Sequence, residues 1–262
     1  MTPFIPCRKC KETVDPFGIR KPVGFYYELT VEHGRILKEC PHHKEWEKSV
    51  AEEKKFISLG FNSEFFSYDI GKDYKGQKSA VNVARLTKYV SLFNDKQAAE
   101  KVKRSVLYLH GPNGTQKTTL ANWVGRQLLY LGYRPRYVLM KQLVDTLWNS
   151  QRDGDAKSTL DDYLERTDVL IIDESFSKDK IHLWSSGFQI GYIDEFLREL
   201  INKGIGIIFI SNNHPDEIEA QGFSHSIEDL VKRELKKYDS LMVFRDVYFD
   251  SISESEIPEK LF

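Results

Sequence analysis

The sequence predicts an α/β fold in which a five-stranded parallel sheet is covered by helices on both faces. Three observations carry this expectation. From residue 80 onward short strands alternate with amphipathic helices, and several strands, "SVLYLH" and "DVLIID" among them, are almost wholly apolar, as strands buried on both faces must be. One strand runs directly into a glycine-bearing loop and then a helix, "LYLHGPNGTQKTTLANW". Another, "VLIIDES", ends in two adjacent carboxylates.

The 262 residues suffice for one large domain and one small one. Hydrophobic residues make up 40% and charged residues 29%, and no apolar run approaches the roughly 20 residues a membrane helix needs, so a soluble protein without membrane partners is expected. The start, "MTPFIPCRKC", lacks a secretory pattern, which points to the cytoplasm. A net charge of −1 excludes a global pull towards nucleic acid; any such site must be local.

The first element is a metal site. All 3 cysteines lie near the start, Cys7 and Cys10 as a C-x-x-C knuckle and Cys40 in "ECPHHKEW", an odd number that argues against a disulfide framework. Thiolates and imidazole suit tetrahedral zinc, and "GFYYELTV" and "RILKEC" read as a hairpin that returns Cys40 beside Cys10. His42 or His43 supplies the fourth ligand, with the C-x-H spacing favouring His42, while His33 at the hairpin turn reads as a surface residue. A helix over Glu45–Leu59 follows, then an aromatic, glycine-rich segment read as a linker or strap. The expected organisation is a small zinc-binding module over 1–58, a linker over 59–78 and a nucleotide-binding domain over 79–262.

In that domain the strands are expected at "SVLYLH", "RYVLMK", "DVLIIDES", "GIIFISNN" and "SLMVFRDVYF", with helices at "AVNVARLTKYVSLF", Lys117–Leu131, "QLVDTLWNS", "IGYIDEFLRELI" and "SIEDLVKREL". A loop that holds a triphosphate needs inward backbone N–H groups at a helix N-terminus, a lysine for the outer phosphates and a hydroxyl for Mg²⁺. Gly111, Pro112, Asn113, Gly114, Thr115 and Gln116 supply the loop, Lys117 the cation, Thr118 the hydroxyl and Thr119 a further contact. Gln116 stands where glycine is usual, and its side chain is expected to point outward.

Asp173 and Glu174 end a buried strand, an expensive place for unpaired charge, which suits Asp173 to Mg²⁺ and Glu174 to the general base of ATP hydrolysis. At the tip of the next strand Asn212, in preference to Asn213, is placed to position the attacking water. Arg233 points away from the apolar face Ile227, Leu230, Val231 and Leu235 of its helix and could reach a neighbouring subunit's nucleotide as an arginine finger.

Taken together, Gly111–Thr118, "LIIDE", the strand-end "SNN" and the late arginine resemble the AAA+ (ASCE) ATPases, and within them the helicase loaders of the DnaC and DnaI kind and the IstB-type transposition helpers. The resemblance extends over roughly residues 55–250. It implies ATP and Mg²⁺ as cofactors, self-association through the ATPase domain, and as partners a hexameric replicative DNA helicase and single-stranded DNA. Only "SISESEIPEKLF" follows the last expected strand, so the resemblance implies a P-loop NTPase core lacking a full C-terminal lid.

Lys141, Arg152 and Lys157 are candidates to neutralise DNA phosphates and Trp148 to stack on a base, although Trp148 also suits a core position beside Leu143, Val144 and Leu147. Two alternatives share the loop. An IstB-like helper would act on duplex DNA with a transposase; a P-loop small-molecule or nucleotide kinase would want an arginine-rich lid, and no such cluster is present.

Overall fold

The structure is a computed structural model, and it describes residues 7, 10, 23–30, 34–74, 80–181 and 188–244. The chain divides into two compact units, Met1–Ser58 and Leu59–Phe262. Among the described residues no helix is long and apolar enough to cross a membrane.

In the first unit β1 (Phe25–Thr30) pairs antiparallel with β2 (Gly34–Glu39), Phe25 opposite Glu39 and Thr30 opposite Gly34. Residues 31–33, and His33 with them, lie outside the described part. Helix α1 (Pro41–Ser58) begins four residues earlier than its apolar periodicity suggests, because Pro41 takes the first helical position, where a missing N–H costs nothing. Gly24 is required where it stands: its φ is +87° and a Cβ there would lie 2.1 Å from the His43 ring.

The second unit opens with a strap. Tyr137 N donates to Leu59 O (2.9 Å) and Asn62 N to Asn122 Oδ1 (3.3 Å), while the Arg126 guanidinium donates to Phe66 O and Tyr68 O. A 3₁₀ turn (Ser63–Phe65), α2 (Ile70–Asp73), α3 (Ala80–Leu92) and α4 (Lys96–Val102) lead to the sheet. Residues 59–74 are therefore strapped to Asn122, Arg126 and Tyr137; 75–79 lie outside the described residues.

The sheet holds β3 (Val106–His110), β4 (Pro135–Leu139), β5 (Val169–Asp173), β6 (Gly206–Ser211) and β7 (Leu241–Val243), all parallel, in the order β4-β5-β6-β3-β7. The expected continuation of β7 beyond Phe244, and the shortened lid, fall outside the described residues. Between the strands lie α5 (Lys117–Tyr130), α6 (Met140–Asn149), α7 (Gly154–Glu165), α8 (Phe188–Lys203), a 3₁₀ turn (Pro215–Glu217) and α9 (His225–Tyr238).

Val169, Leu170, Ile171 and Ile172 are fully buried in succession, each contributing about 1.5–3 kcal/mol of apolar burial, which fixes the strand and hence the position of Asp173 at its end. Because β6 is inserted between β3 and β5, its tip lies between the loop after β3 and the carboxylates after β5. The helices α4 and α7 were not expected from the sequence. Both begin on an aspartate cap, Asp95 and Asp153, whose carboxylate accepts from the next backbone N–H groups.

Candidate functional site

At the C-terminal ends of β3, β5 and β6 a cavity of about 460 Å³ opens, lined by Asn113, the loop through Thr119, the β5 end and Asn212. Gly111 and Pro112, expected in the same loop, do not line the cavity; their carbonyls accept from Lys117 Nζ. Lys117, at the first turn of α5 and only 6% exposed, donates from Nζ to Gly111 O (2.7 Å), Pro112 O (2.8 Å), Thr115 Oγ1 (3.1 Å) and Asn212 Oδ1 (3.2 Å). Burial lowers its pKa to about 8, partly opposed by the Asp173 charge. The lysine is thus held in place by neutral oxygens, each exchangeable for a phosphate oxygen.

Gln116 caps α5 in the left-handed region, φ 60° and ψ 20°, which explains why glycine suits this position. Its side chain departs from the expected outward direction: Oε1 is buried and has no hydrogen-bond partner. Thr115 is buried and donates to Pro112 O (2.9 Å), closing the loop on itself.

Asp173 is 5% exposed and accepts three hydrogen bonds. Oδ2 receives Thr118 Oγ1 (2.7 Å) and Tyr137 OH (2.5 Å), and Oδ1 receives Glu174 N (2.6 Å). The Thr118 hydroxyl and Asp173 carboxylate, a pair of hard oxygens facing the cavity beside the lysine, are what a magnesium ion takes. Sequence reasoning missed Tyr137. Burial, and next the Asp173 charge, push its phenol far above the ordinary range, so it remains a donor.

Glu174 lines the cavity at φ 52° and Phe176 follows at φ 56°, two non-glycine residues in a region costing of order 1 kcal/mol or more each. The distortion is held by backbone and side-chain bonds from β6: Ser175 N donates to Ile210 O (2.8 Å), Ser211 Oγ to Ser175 O (2.6 Å) and Asn213 Nδ2 to Phe176 O (2.8 Å). The Glu174 carboxylate lies 3.2 Å from Lys180 Nζ, a second residue unforeseen from sequence. The two asparagines separate by task. Asn212 faces the cavity and donates to Asn113 Oδ1 (2.7 Å), whereas Asn213 is a structural brace.

Arg233 is not brought to this cavity. It is exposed on α9, with Nε 3.3 Å from Oε1 of the buried Glu234. The suggested DNA contacts fare differently. Lys141 pairs with Asp145 (2.8 Å), Trp148 is half-buried on α6, and Arg152 and Lys157 border a groove that also carries Asp153, Asp161, Glu195 and Glu199. Four acids thus accompany the two cations in this groove, so Arg152 and Lys157 do not form a continuous basic track for phosphates there.

In the first unit Cys7 Sγ lies 3.6 Å from Cys10 Sγ and 3.5 Å from Cys40 Sγ, and Cys40 Sγ lies 3.7 Å from His42 Nδ1. A tetrahedral zinc with bonds of about 2.3 Å to sulfur and about 2.0 Å to nitrogen sets ligand separations of about 3.5–3.8 Å, so the three sulfurs fit the ion, while His42 is brought beside Cys40 without joining the same cluster. Cys40 sits immediately before α1. His43 serves the fold instead: its ring is buried beneath Gly24, with Nδ1 3.4 Å from Glu39.

Residues 93–179 match the family of IstB-like ATP binding proteins. No curated protein sequence matches the chain. Among solved structures, that of the DnaC helicase loader superposes with a TM-score of 0.54 at 19% identity, over 70% of this chain and 99% of that one. DnaI gives 0.51 at 17%, over 72% and 93%. The replication initiator DnaA bound to AMPPCP and single-stranded DNA gives 0.53 at 16%, over 68% of this chain and 49% of that one, so this chain spans about half the length of that protein. At these identities the likeness to solved structures is one of fold. Residues 93–179, which include both the Lys117 loop and the Asp173 strand, are therefore similar to IstB-like ATP binding proteins, and the sheet order β4-β5-β6-β3-β7 belongs to a fold shared with the DnaC and DnaI structures.

Proposed function

We propose that the chain is an ATP-dependent helicase loader, working in the cytoplasm, that binds a hexameric replicative DNA helicase and delivers it to single-stranded DNA. The observation that carries this reading is the pairing of two units. Leu59–Phe262 is an ATPase whose fold matches nearly the whole DnaC structure, and Met1–Ser58 is a separate unit in which Cys7, Cys10 and Cys40 form a cluster that suits a structural zinc with His42 as its fourth ligand. The first unit is the helicase-docking element and the second the nucleotide-controlled one.

In the ATPase, Lys117 exchanges its carbonyl partners for the outer phosphates, and backbone N–H groups of Asn113–Thr119 cradle the rest. Thr118 and Asp173 hold Mg²⁺, which when bound neutralises charge developing on the phosphates. Glu174 releases Lys180 and takes a proton from the attacking water, with Asn212 orienting that water. Arg233 acts on a neighbouring subunit's nucleotide, consistent with its exposure at a distance from its own site.

The test is reconstitution of the full chain with its helicase. ATP-dependent co-elution and faster helicase transfer onto circular single-stranded DNA are expected, both reduced by Cys7→Ser with Cys10→Ser. A protein that hydrolyses ATP yet never binds the helicase overturns the reading. The IstB-like family match favours one second reading, a transposition helper; ATP-dependent binding to duplex DNA, with recruitment of a transposase, would establish it.

A further inference from the structure

We propose that Tyr137 is a positioning residue of the magnesium site, fixing the Asp173 carboxylate so that Thr118 and Asp173 present one preset geometry to the ion. This rests on the reading of Thr118 and Asp173 as the magnesium pair. Both hydroxyls converge on one oxygen: Thr118 Oγ1 at 2.7 Å and Tyr137 OH at 2.5 Å from Asp173 Oδ2. The opposite oxygen is held only by the neighbouring Glu174 N, at 2.6 Å.

Glu174 N pins Oδ1 and Tyr137 OH pins Oδ2, so rotation about Cβ–Cγ is opposed at both oxygens; without Tyr137 the Oδ2 side rests on the Thr118 hydroxyl alone, itself a ligand of the ion. Charge-assisted hydrogen bonds of this length are the strong ones.

Tyr137 is itself located from two sides. In β4, paired with β5, Leu139 lies opposite Asp173 and Tyr137 opposite Ile171, so Tyr137 shares a sheet face with Asp173 one step back and its ring spans the gap. From outside, the strap clamps it. Tyr137 N donates to Leu59 O, the Phe61 ring lies 5.7 Å from the Tyr137 ring, and Gly60 approaches Tyr137 O so closely that a Cβ would sit 2.1 Å from it. The magnesium site is thereby braced by the segment that opens the ATPase unit.

Tyr137→Phe removes the hydroxyl and keeps the ring. Binding of a fluorescent ATP analogue is titrated in EDTA and again against Mg²⁺, with the melting temperature recorded. Magnesium-free affinity is expected to stay close to wild type and the melting temperature to fall by a few degrees, while the Mg²⁺ concentration giving half of the metal-dependent gain in affinity rises about tenfold, the loss of one charge-assisted hydrogen bond. An unchanged magnesium midpoint overturns the proposal. So does an equal loss of affinity with and without Mg²⁺, which would make Tyr137 a packing residue. If wild-type protein binds nucleotide with no magnesium dependence, the magnesium reading of Thr118 and Asp173 fails instead.

Discussion

Replacing Gln116 by glycine should stabilise the protein and leave the nucleotide site intact. At φ 60° and ψ 20° a residue with a Cβ costs roughly 1–2 kcal/mol relative to glycine. The buried, unpartnered Oε1 adds a desolvation cost of about 1–3 kcal/mol. Against these stand the extra unfolded-state entropy of glycine, about 0.5–1 kcal/mol, and the apolar contacts of the lost side-chain stem. A net gain of about 1 kcal/mol remains, which raises the melting temperature of a unit this size by about 2–4 °C. Thermal unfolding without nucleotide reads this directly, and ATP binding by the same protein should be equal or tighter. Gln116→Val is the opposing control, because a β-branched residue tolerates the left-handed region least. The reasoning is refuted if Gln116→Gly melts at or below wild type, or loses ATP binding as completely as Lys117→Ala; in the latter case the Gln116 amide is itself a phosphate ligand.

Lys117 has a pKa near 8 in the nucleotide-free protein and must carry its proton to bind phosphate, so ATP affinity should fall above pH 8 by up to about tenfold per unit. Because its folded pKa lies below its unfolded value, the free protein should gain stability over the same interval; affinity flat from pH 7 to 9.5 contradicts this. In the first unit, metal analysis should find one zinc per chain, lost in His42→Ala and Cys40→Ser but kept in His43→Ala; retention in His42→Ala assigns the fourth ligand elsewhere. Gly60→Ala, with φ +93° and a Cβ forced against Tyr137 O, should destabilise the ATPase unit by at least about 2 kcal/mol in urea unfolding; a change below 0.5 kcal/mol, roughly, would show that the strap yields.

The strands and the residues gathered at their ends were legible because each carries a local pattern. β5 is a run of apolar residues closed by two carboxylates, and the loop before α5 has its glycines, lysine and threonine in one stretch. The helices α4 and α7 were not legible: α7 buries only Tyr163 fully, so its stripe of Leu160, Tyr163 and Leu164 is too thin to stand out among its charges. Tyr137 was invisible for another reason. Its partner lies 36 residues away on the adjacent strand, and only the β4–β5 register brings the two together. Lys180 is similar, since its contact with Glu174 depends on the turn through two residues at positive φ. The groove beside α6 and α7 shows the converse. Its cations are conspicuous in sequence, but of the acids that outnumber them Asp161 comes from α7 and Glu195 and Glu199 from α8.

The braces between the tips of β5 and β6 also bear on how this ATPase can move. Ser175 and Phe176 are joined to Ile210, Ser211 and Asn213 by three hydrogen bonds across the two tips, and Tyr108 OH from β3 donates to Asn213 O at 2.9 Å. The carboxylate end and the asparagine end of the site therefore behave as one keystone, not as two independently moving parts. Any stroke that accompanies turnover has to be taken up on either side of it, in the loop ahead of Lys117 or in the turn that carries Lys180.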